Sequence, residues 1–351
     1  MSLKQIAIGT AVLAVLAVAG FAIDKSMNSG RREVKSLADG VDFSQGKVVR
    51  IQANNHHVTL QATETGWVVV EKANFPADEA KLRKLVIQLS GSQIEHKVTE
   101  RKEKLGELGL LTILENEGKF EEDTTGQELS VEKVDGQVLF KLIIGNTRST
   151  SAGYGGQYVR PAGETVAYLI PEALQLDPEP KEWINKSLFP IKGERDLQKI
   201  SIRRPGAQPL IFSRTDEKTP WELEGVKAED LDVGKVTTMV RDVAGINLSD
   251  LAEEGKSEKE LGRTKVTTAE LTGFDQRTFR ITVGEEKVGE SLRYVAIQAG
   301  LPADVKDEKL RQEVDGFNAR FSNRFLAVFD WEGDTVLKTV KDFRKEQPKK
   351  P

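Results

Sequence analysis

The chain has 351 residues, a formal net charge of -4 and 30% charged residues. That is enough length for two ordinary domains, and the mixed-sign surface leaves no electrostatic footprint for nucleic acid. The absence of cysteine excludes disulfides, thiolate metal sites and cysteine nucleophiles without fixing a compartment.

From Gln5 to Ile23 the chain is uncharged and almost wholly apolar, flanked by Lys4 and by Asp24-Lys25. A run of this length can cross a hydrocarbon core as one helix. A cleaved signal peptide competes, with Ala17-Val18-Ala19 as the cleavage site, but its apolar region is normally shorter. The expectation is an uncleaved transmembrane anchor over 1–24, with Gly9, Ala14, Ala17 and Gly20 as a small-residue packing face. A polar linker over 25–45 follows, and the bulk of the chain is expected outside the cytoplasm.

Beyond the linker the chain matches itself. Thr65, Trp67, Asp78, Lys81, Val86 and Gly91 recur at one constant interval as Thr219, Trp221, Asp232, Lys235, Val240 and Gly245. Asp78 and Asp232 are placed to cap amphipathic helices, with Leu82, Leu85, Val86 and Leu89 on one stripe and Val236, Met239, Val240 and Val243 on the other. Gly91 and Gly245 mark the helix ends. Hairpin-like strands precede each helix. After each helix comes a charged Leu-Gly segment, EKLGELGL or EKELGR, and then another strand pair, the first turning at Asp135-Gly136.

Ile143 to Pro161, IIGNTRSTSAGYGGQYVRP, holds glycines as a phosphate-binding loop does, but no Lys or helix start follows them. Its counterpart between Gly284 and Tyr294 is shorter and carries three Glu residues, which would repel phosphate. Both read as variable hairpin connections whose glycines and serines mark flexibility. Each half then closes with a helical stretch, PKEWINKSLFPI and NARFSNRFLAVF, aligned through Asn185 with Asn323 and Leu188 with Leu326. Asp334 to Arg344 has no counterpart by this alignment; Val336, Leu337, Val340 and Phe343 form a helical stripe behind Asp334, or the segment forms a hairpin with LAVFDW across Glu332-Gly333-Asp334, and either way it caps the second core or meets a partner.

GWVVVEKANFPADEAKLRKLVIQLSG, KEKLGELGL, FKLIIGNTRSTSAGYGGQYVRP, VAYLIPEAL and EWINKSLFPI, in this order, resemble the bacterial domain-of-unknown-function family 4340. The resemblance covers Val48 to Phe329. It implies an N-terminal membrane helix, tandem copies of one unit and, for some members, association with gliding-motility-type ABC transport systems. It brings no catalytic residues. One departure is that KELGRTKVT lacks the Gly-Leu that follows the motif in the first half.

No chemistry-bearing constellation emerges. His56-His57 lacks an i, i+4 partner or an acidic triad, and His96 faces Asp250 in the repeat, so neither is assigned to metal. No G-x-S-x-G occurs, and Glu121-Glu122-Asp123 and Glu253-Glu254 lie in polar runs. Trp67 and Trp221 read as core aromatics of a duplicated domain. No catalytic, cofactor-binding or metal residue is assigned.

The expected fold is α+β: an N-terminal transmembrane helix, then two tandem repeats of antiparallel hairpins with one amphipathic helix and a closing helix each. The repeats span 46–191 and 192–332, with a C-terminal extension over 333–351. The expected function is a non-enzymatic, membrane-anchored accessory or scaffold subunit of an ABC-type transport assembly. It would sit in the bacterial inner membrane as a single-pass protein with periplasmic domains, meeting the membrane through its N-terminal helix and a transporter subunit as partner. The alternative is a stand-alone envelope module that binds a lipid or glycan between the repeats. No cofactor, nucleotide or nucleic acid is expected.

Overall fold

The computed structural model describes residues 35–346, apart from 54, 152, 175, 192, 322 and 323. The chain divides into two compact units, Met1–Asn185 and Lys186–Pro351.

The first unit contains β1 (Val48–Ala53), β2 (His56–Thr63), β3 (Gly66–Val69) and β4 (Phe75–Pro76), then helix α1 (Glu79–Gly91). β5 (His96–Thr99), β6 (Gln127–Glu132), β7 (Val138–Thr150), β8 (Gly153–Pro161) and β9 (Ala167–Ile170) follow. All nine strands join one antiparallel sheet in the order β4-β3-β2-β1-β6-β7-β8-β9-β5. Alternation sets the buried face: Val49, Ile51 and Ala53 of β1 are buried while Arg50 and Gln52 are exposed. α1 lays Leu82, Leu85, Val86 and Leu89 into the core, and Asp78 caps it by accepting the Ala80 and Lys81 amides at 3.0 Å each. The helix runs through Gly91, and its C-cap is Ser92 in extended conformation, one residue later than the glycine signal. Residues 35–38 are tied to the chain after α1 by Leu37 N–H to Ser92 O at 2.8 Å and Ile94 N–H to Lys35 O at 3.0 Å.

The second unit repeats the pattern with β10 (Leu197–Arg203), β11 (Leu210–Ser213), β12 (Glu222–Leu223), helix α2 (Val233–Ala244) and β13 (Asp250–Leu251). β14 (Val266–Gly273), β15 (Thr278–Gly284), β16 (Leu292–Gly300), helix α3 (Glu308–Phe321) and β17 (Leu326–Phe329) complete it. Its eight-stranded sheet runs β12-β11-β10-β14-β15-β16-β17-β13. That is the order of the first sheet without the extra edge strand β4. The duplication seen in the sequence is therefore a duplication of topology.

The expected fold needs three corrections. First, each unit is built on one continuous antiparallel sheet with few helices, not on separate hairpins between helices. The hairpins of a repeat pair with one another, as β1 does with β6, so their backbone groups are satisfied in a single ladder. Second, among the described residues no helix is long and apolar enough to cross a membrane. The run Gln5 to Ile23, with its small-residue face, lies outside the described residues. The transmembrane helix and the single-pass inner-membrane placement drawn from it therefore have no spanning element here and are withdrawn.

Third, the closing helices do not match. PKEWINKSLFPI forms only the 3-10 turn Pro180–Glu182. NARF lies in α3, which is inserted between β16 and β17, while the first unit has only a short turn between β8 and β9. The hydrogen bonds give a different alignment. Trp183 O accepts the N–H of the cap residue Asp78 at 2.7 Å, and Phe343 O accepts that of Asp232 at 2.9 Å. Ala77 bridges Ile184 as Leu231 bridges Arg344. PKEWI thus corresponds to VKDFR, Val340 to Arg344, and the C-terminal segment has a counterpart after all. Its stripe is internal to the unit: Val336 and Phe343 are fully buried, and the Phe343 ring meets Phe212 edge-on at 5.0 Å.

Candidate functional site

The Leu-Gly segments fix the glycine-rich hairpin. Glu107-Leu108-Gly109 and Glu260-Leu261-Gly262 adopt one turn in the two units, with glycine at φ 65° and 62°. The turn closes through Leu110 N–H to Leu105 O at 2.9 Å and Arg263 N–H to Glu258 O at 2.7 Å. Each turn rests on the glycine that ends the equivalent strand core. A Cβ on Gly145 would lie 2.3 Å from Leu108 O, and one on Gly284 would lie 2.7 Å from Gly262 O. The aligned glycine is thus the second of the first-half motif, and these glycines serve close approach of two backbones.

The glycine-rich stretch is consequently not a loose loop. β7 and β8 stay paired past Gly145, through Thr147 with Gln157, Ser149 with Tyr154 and Thr150 with Gly153, with two register shifts on the way. Among the described residues the stretch is paired strand on both sides and opens no helix, unlike a phosphate-binding loop. The hairpin instead presents Tyr154, 51% exposed. Partial burial, then the Glu172 carboxylate, pushes its phenol pKa up.

The equivalent end of the second unit also carries exposed aromatics. Phe329 pairs in register with Leu292, and the chain turns through Asp330, whose N–H donates to Ser291 O at 2.8 Å. Lys287 in the β15–β16 connection forms an ion pair with Asp330, whose carboxyl it holds below the usual carboxylate range. The Phe329 and Trp331 rings stack with centroids 6.4 Å apart at 11°. Trp331 is 66% exposed and Phe329 43%. Sequence reasoning passed over Tyr154, Phe329 and Trp331. The signal was there, since none of them falls on a stripe that either core needs.

The other residues weighed in the sequence separate into solvated and structural groups. His56 and His57 open β2, pairing with Glu179 at 2.7 Å and Glu71 at 3.5 Å, and His96 on β5 stands 3.9 Å from Glu95. Among the described residues no group of three or more His, Asp or Glu side chains could hold a metal ion. Glu121, Glu122, Asp123, Glu253 and Glu254 are exposed. Trp67 on β3 and Trp221, just before β12, are both buried. The Trp221 indole donates to Glu194 at 3.3 Å with the Arg214 guanidinium over its ring, whereas Trp67 Nε1 is buried without a hydrogen-bond partner.

The sequence profile described as "Domain of unknown function (DUF4340)" matches residues 67–294, well over half of the chain. The chain belongs to the DUF4340 family. The match begins at Trp67 on β3 and ends at Tyr294 on β16, so it takes in most of both units of this DUF4340 protein. No curated protein and no solved structure matches the chain.

Proposed function

We propose that this DUF4340 chain is a non-enzymatic accessory subunit that engages a partner protein through the hairpin ends of its sheets. The observation that carries the reading is the stacked Phe329–Trp331 pair, left open to solvent beside an ion-paired turn. Exposed, pre-stacked aromatics lose little side-chain entropy on docking, and tryptophan is the residue type most enriched among interface hot spots. Tyr154, on the β7–β8 hairpin at the corresponding end of the first unit's sheet, supports the same use of the fold. The sheet edges do not compete for that role: β5, β12 and β13 are four residues or fewer, which limits strand addition. The resemblance in the sequence points to an ABC-type transport assembly as the partner.

The test is native copurification with the intact chain against Trp331→Ala and Tyr154→Ala. The expected result is loss of the same partner from the Trp331 variant, by about thirtyfold in affinity if the residue behaves as a hot spot worth about 2 kcal/mol. Unchanged partner recovery from the double variant, with unchanged melting, would refute it.

A further inference from the structure

The second unit carries a groove of about 830 Å³ between the first turn of α2 and the C-terminal segment. Lys235, Lys338, Lys341, Arg344 and Lys345 line it. Among the described residues, Lys338, Lys341 and Arg344 have no carboxylate within ion-pair distance, and Lys345 reaches only the Glu229 carbonyl at 2.8 Å. Three carboxylates, Asp232, Asp342 and Glu346, line the groove as well, and the first two are engaged locally. Asp232 caps α2 through the Lys235 amide at 3.0 Å, and Asp342 accepts the Thr339 amide and hydroxyl at 2.7 and 2.9 Å.

The duplication supplies an internal control for what these cations do. Residues 337–345, LKTVKDFRK, correspond to 177–185, DPEPKEWIN, by the hydrogen bonds given above. Arg344 makes the bridge to Leu231 that Ile184 makes to Ala77. Lys345 N–H donates to Asp230 O at 2.9 Å as Asn185 N–H donates to Pro76 O at 2.9 Å. The fold performs both tasks in the first unit with neutral side chains. That segment has one lysine against three carboxylates, whereas its counterpart has four cations against one carboxylate. A reversal of sign at fixed backbone geometry, in a chain of net charge -4, is not required for folding.

We infer that this groove docks an acidic segment of a partner protein. The cations come from two elements, Lys235 from α2 and Lys338, Lys341, Arg344 and Lys345 from the C-terminal segment, and Asp232 already takes the Lys235 amide of α2's first turn. A concave strip of separated lysines fits an extended run of carboxylates, each pair adding on-rate and specificity. The inference stands apart from the aromatic hairpin ends: substituting Trp331 is expected to leave it untouched.

The probe is a fluorescein-labelled polyglutamate peptide, followed by anisotropy with the full chain. The expected result is saturable binding at low salt that weakens steeply as salt is raised. It should fall about tenfold or more in a variant carrying Lys338→Gln, Arg344→Ile and Lys345→Asn. The last two changes install the residues that the first unit already accepts there. Lys338→Gln with Lys341→Gln, both surface changes, gives a second reading independent of the bridge, and Lys181→Gln in the first unit should change nothing. Absent binding by the natural chain, or binding by both groove variants as tight as that of the natural chain, overturns the inference. Capture of the chain by phosphatidylglycerol vesicles through the same cations also overturns it, because the groove would then read a membrane surface.

Discussion

Gly145→Ala tests the packing logic most sharply. The added methyl would sit 2.3 Å from Leu108 O, 2.8 Å from Leu110 Cδ2 and 2.9 Å from Gly109 O, so about 1 Å must be found between two backbones. Neither can yield cheaply. Ile144, its neighbour on β7, is registered on both sides, with Gln127 and Val159. The turn is pinned by fully buried Leu105 and Leu110. Overpacking of this kind costs about 2–3 kcal/mol, or roughly 30-fold to 150-fold in the opening equilibrium of the first unit. Gly91→Ala makes the same chemical change in the last turn of α1, where nothing lies within 4 Å, and should stabilise by about 0.5 kcal/mol. Hydrogen exchange read by mass spectrometry resolves the two units separately, which a single two-state fit of a two-unit chain does not. Gly145→Ala should raise exchange across β6–β8 and leave β14–β16 unchanged. A destabilisation below about 0.5 kcal/mol would show that the ELG turn is not packed rigidly on β7.

Two further changes probe buried polar groups. Trp221→Phe removes an indole hydrogen bond to Glu194 and leaves a weaker ring beneath Arg214, whereas Trp67→Phe removes a donor that has no partner. Denaturant melts should therefore show the Trp221 change costing about 1 kcal/mol more than the Trp67 change. Glu332 is buried, accepts the Asn247 amide at 3.0 Å through one oxygen and leaves the other unpartnered, and burial pushes its carboxyl pKa up. A raised folded-state pKa means that its stabilising contribution is fully present below the ordinary carboxylate pKa near 4.3 and is lost as pH rises through the folded value. Thermal melts against pH should show this decline in the natural chain and its absence in Glu332→Gln.

What could be read in the sequence was what local chemistry imposes. Asp78 and Asp232 cap helices because a carboxylate before an apolar stripe has few other uses, and Asp135-Gly136 turns β6 into β7, with Gly136 at φ 83°. The repeat itself was legible because Trp67 and Trp221 are each buried in the core of their own unit. The closing segment was not. NARF has genuine helical character and belongs to α3, so periodicity drew the stretch into an alignment that hydrogen bonds contradict. The true pair, PKEWI and VKDFR, shares Lys-acid-aromatic spacing but differs in charge and apolarity at either end. The glycine-rich stretch failed for another reason. Gly145 is needed because residues 108–110 return onto β7 from elsewhere in the chain, and no local pattern reports such an approach.

The duplication separates requirements of the fold from requirements of function, and one pair of residues shows how. Gln157 donates to Gly145 O at 3.3 Å and accepts the Leu174 amide at 2.9 Å, tying β7 to the segment beyond β9. Arg293 donates to Gly284 O at 3.1 Å and to Asp334 at 2.8 Å, tying β15 to the segment beyond β17. An amide and a guanidinium thus close the same link, so the link belongs to the fold and its chemistry is free to drift. Positions that differ between the units without closing any link have no such excuse. Trp331 is largely exposed, and the cations Arg344 and Lys345 stand where neutral Ile184 and Asn185 make the same backbone contacts, the one added link being Lys345 to the Glu229 carbonyl. Substitutions that make the second unit resemble the first at these places should therefore leave stability within about 0.5 kcal/mol while abolishing partner contacts. The reverse exchange at Gln157 should disturb folding, because Leu174 presents an amide where Asp334 presents a carboxylate, and an arginine there would be buried without its counter-charge.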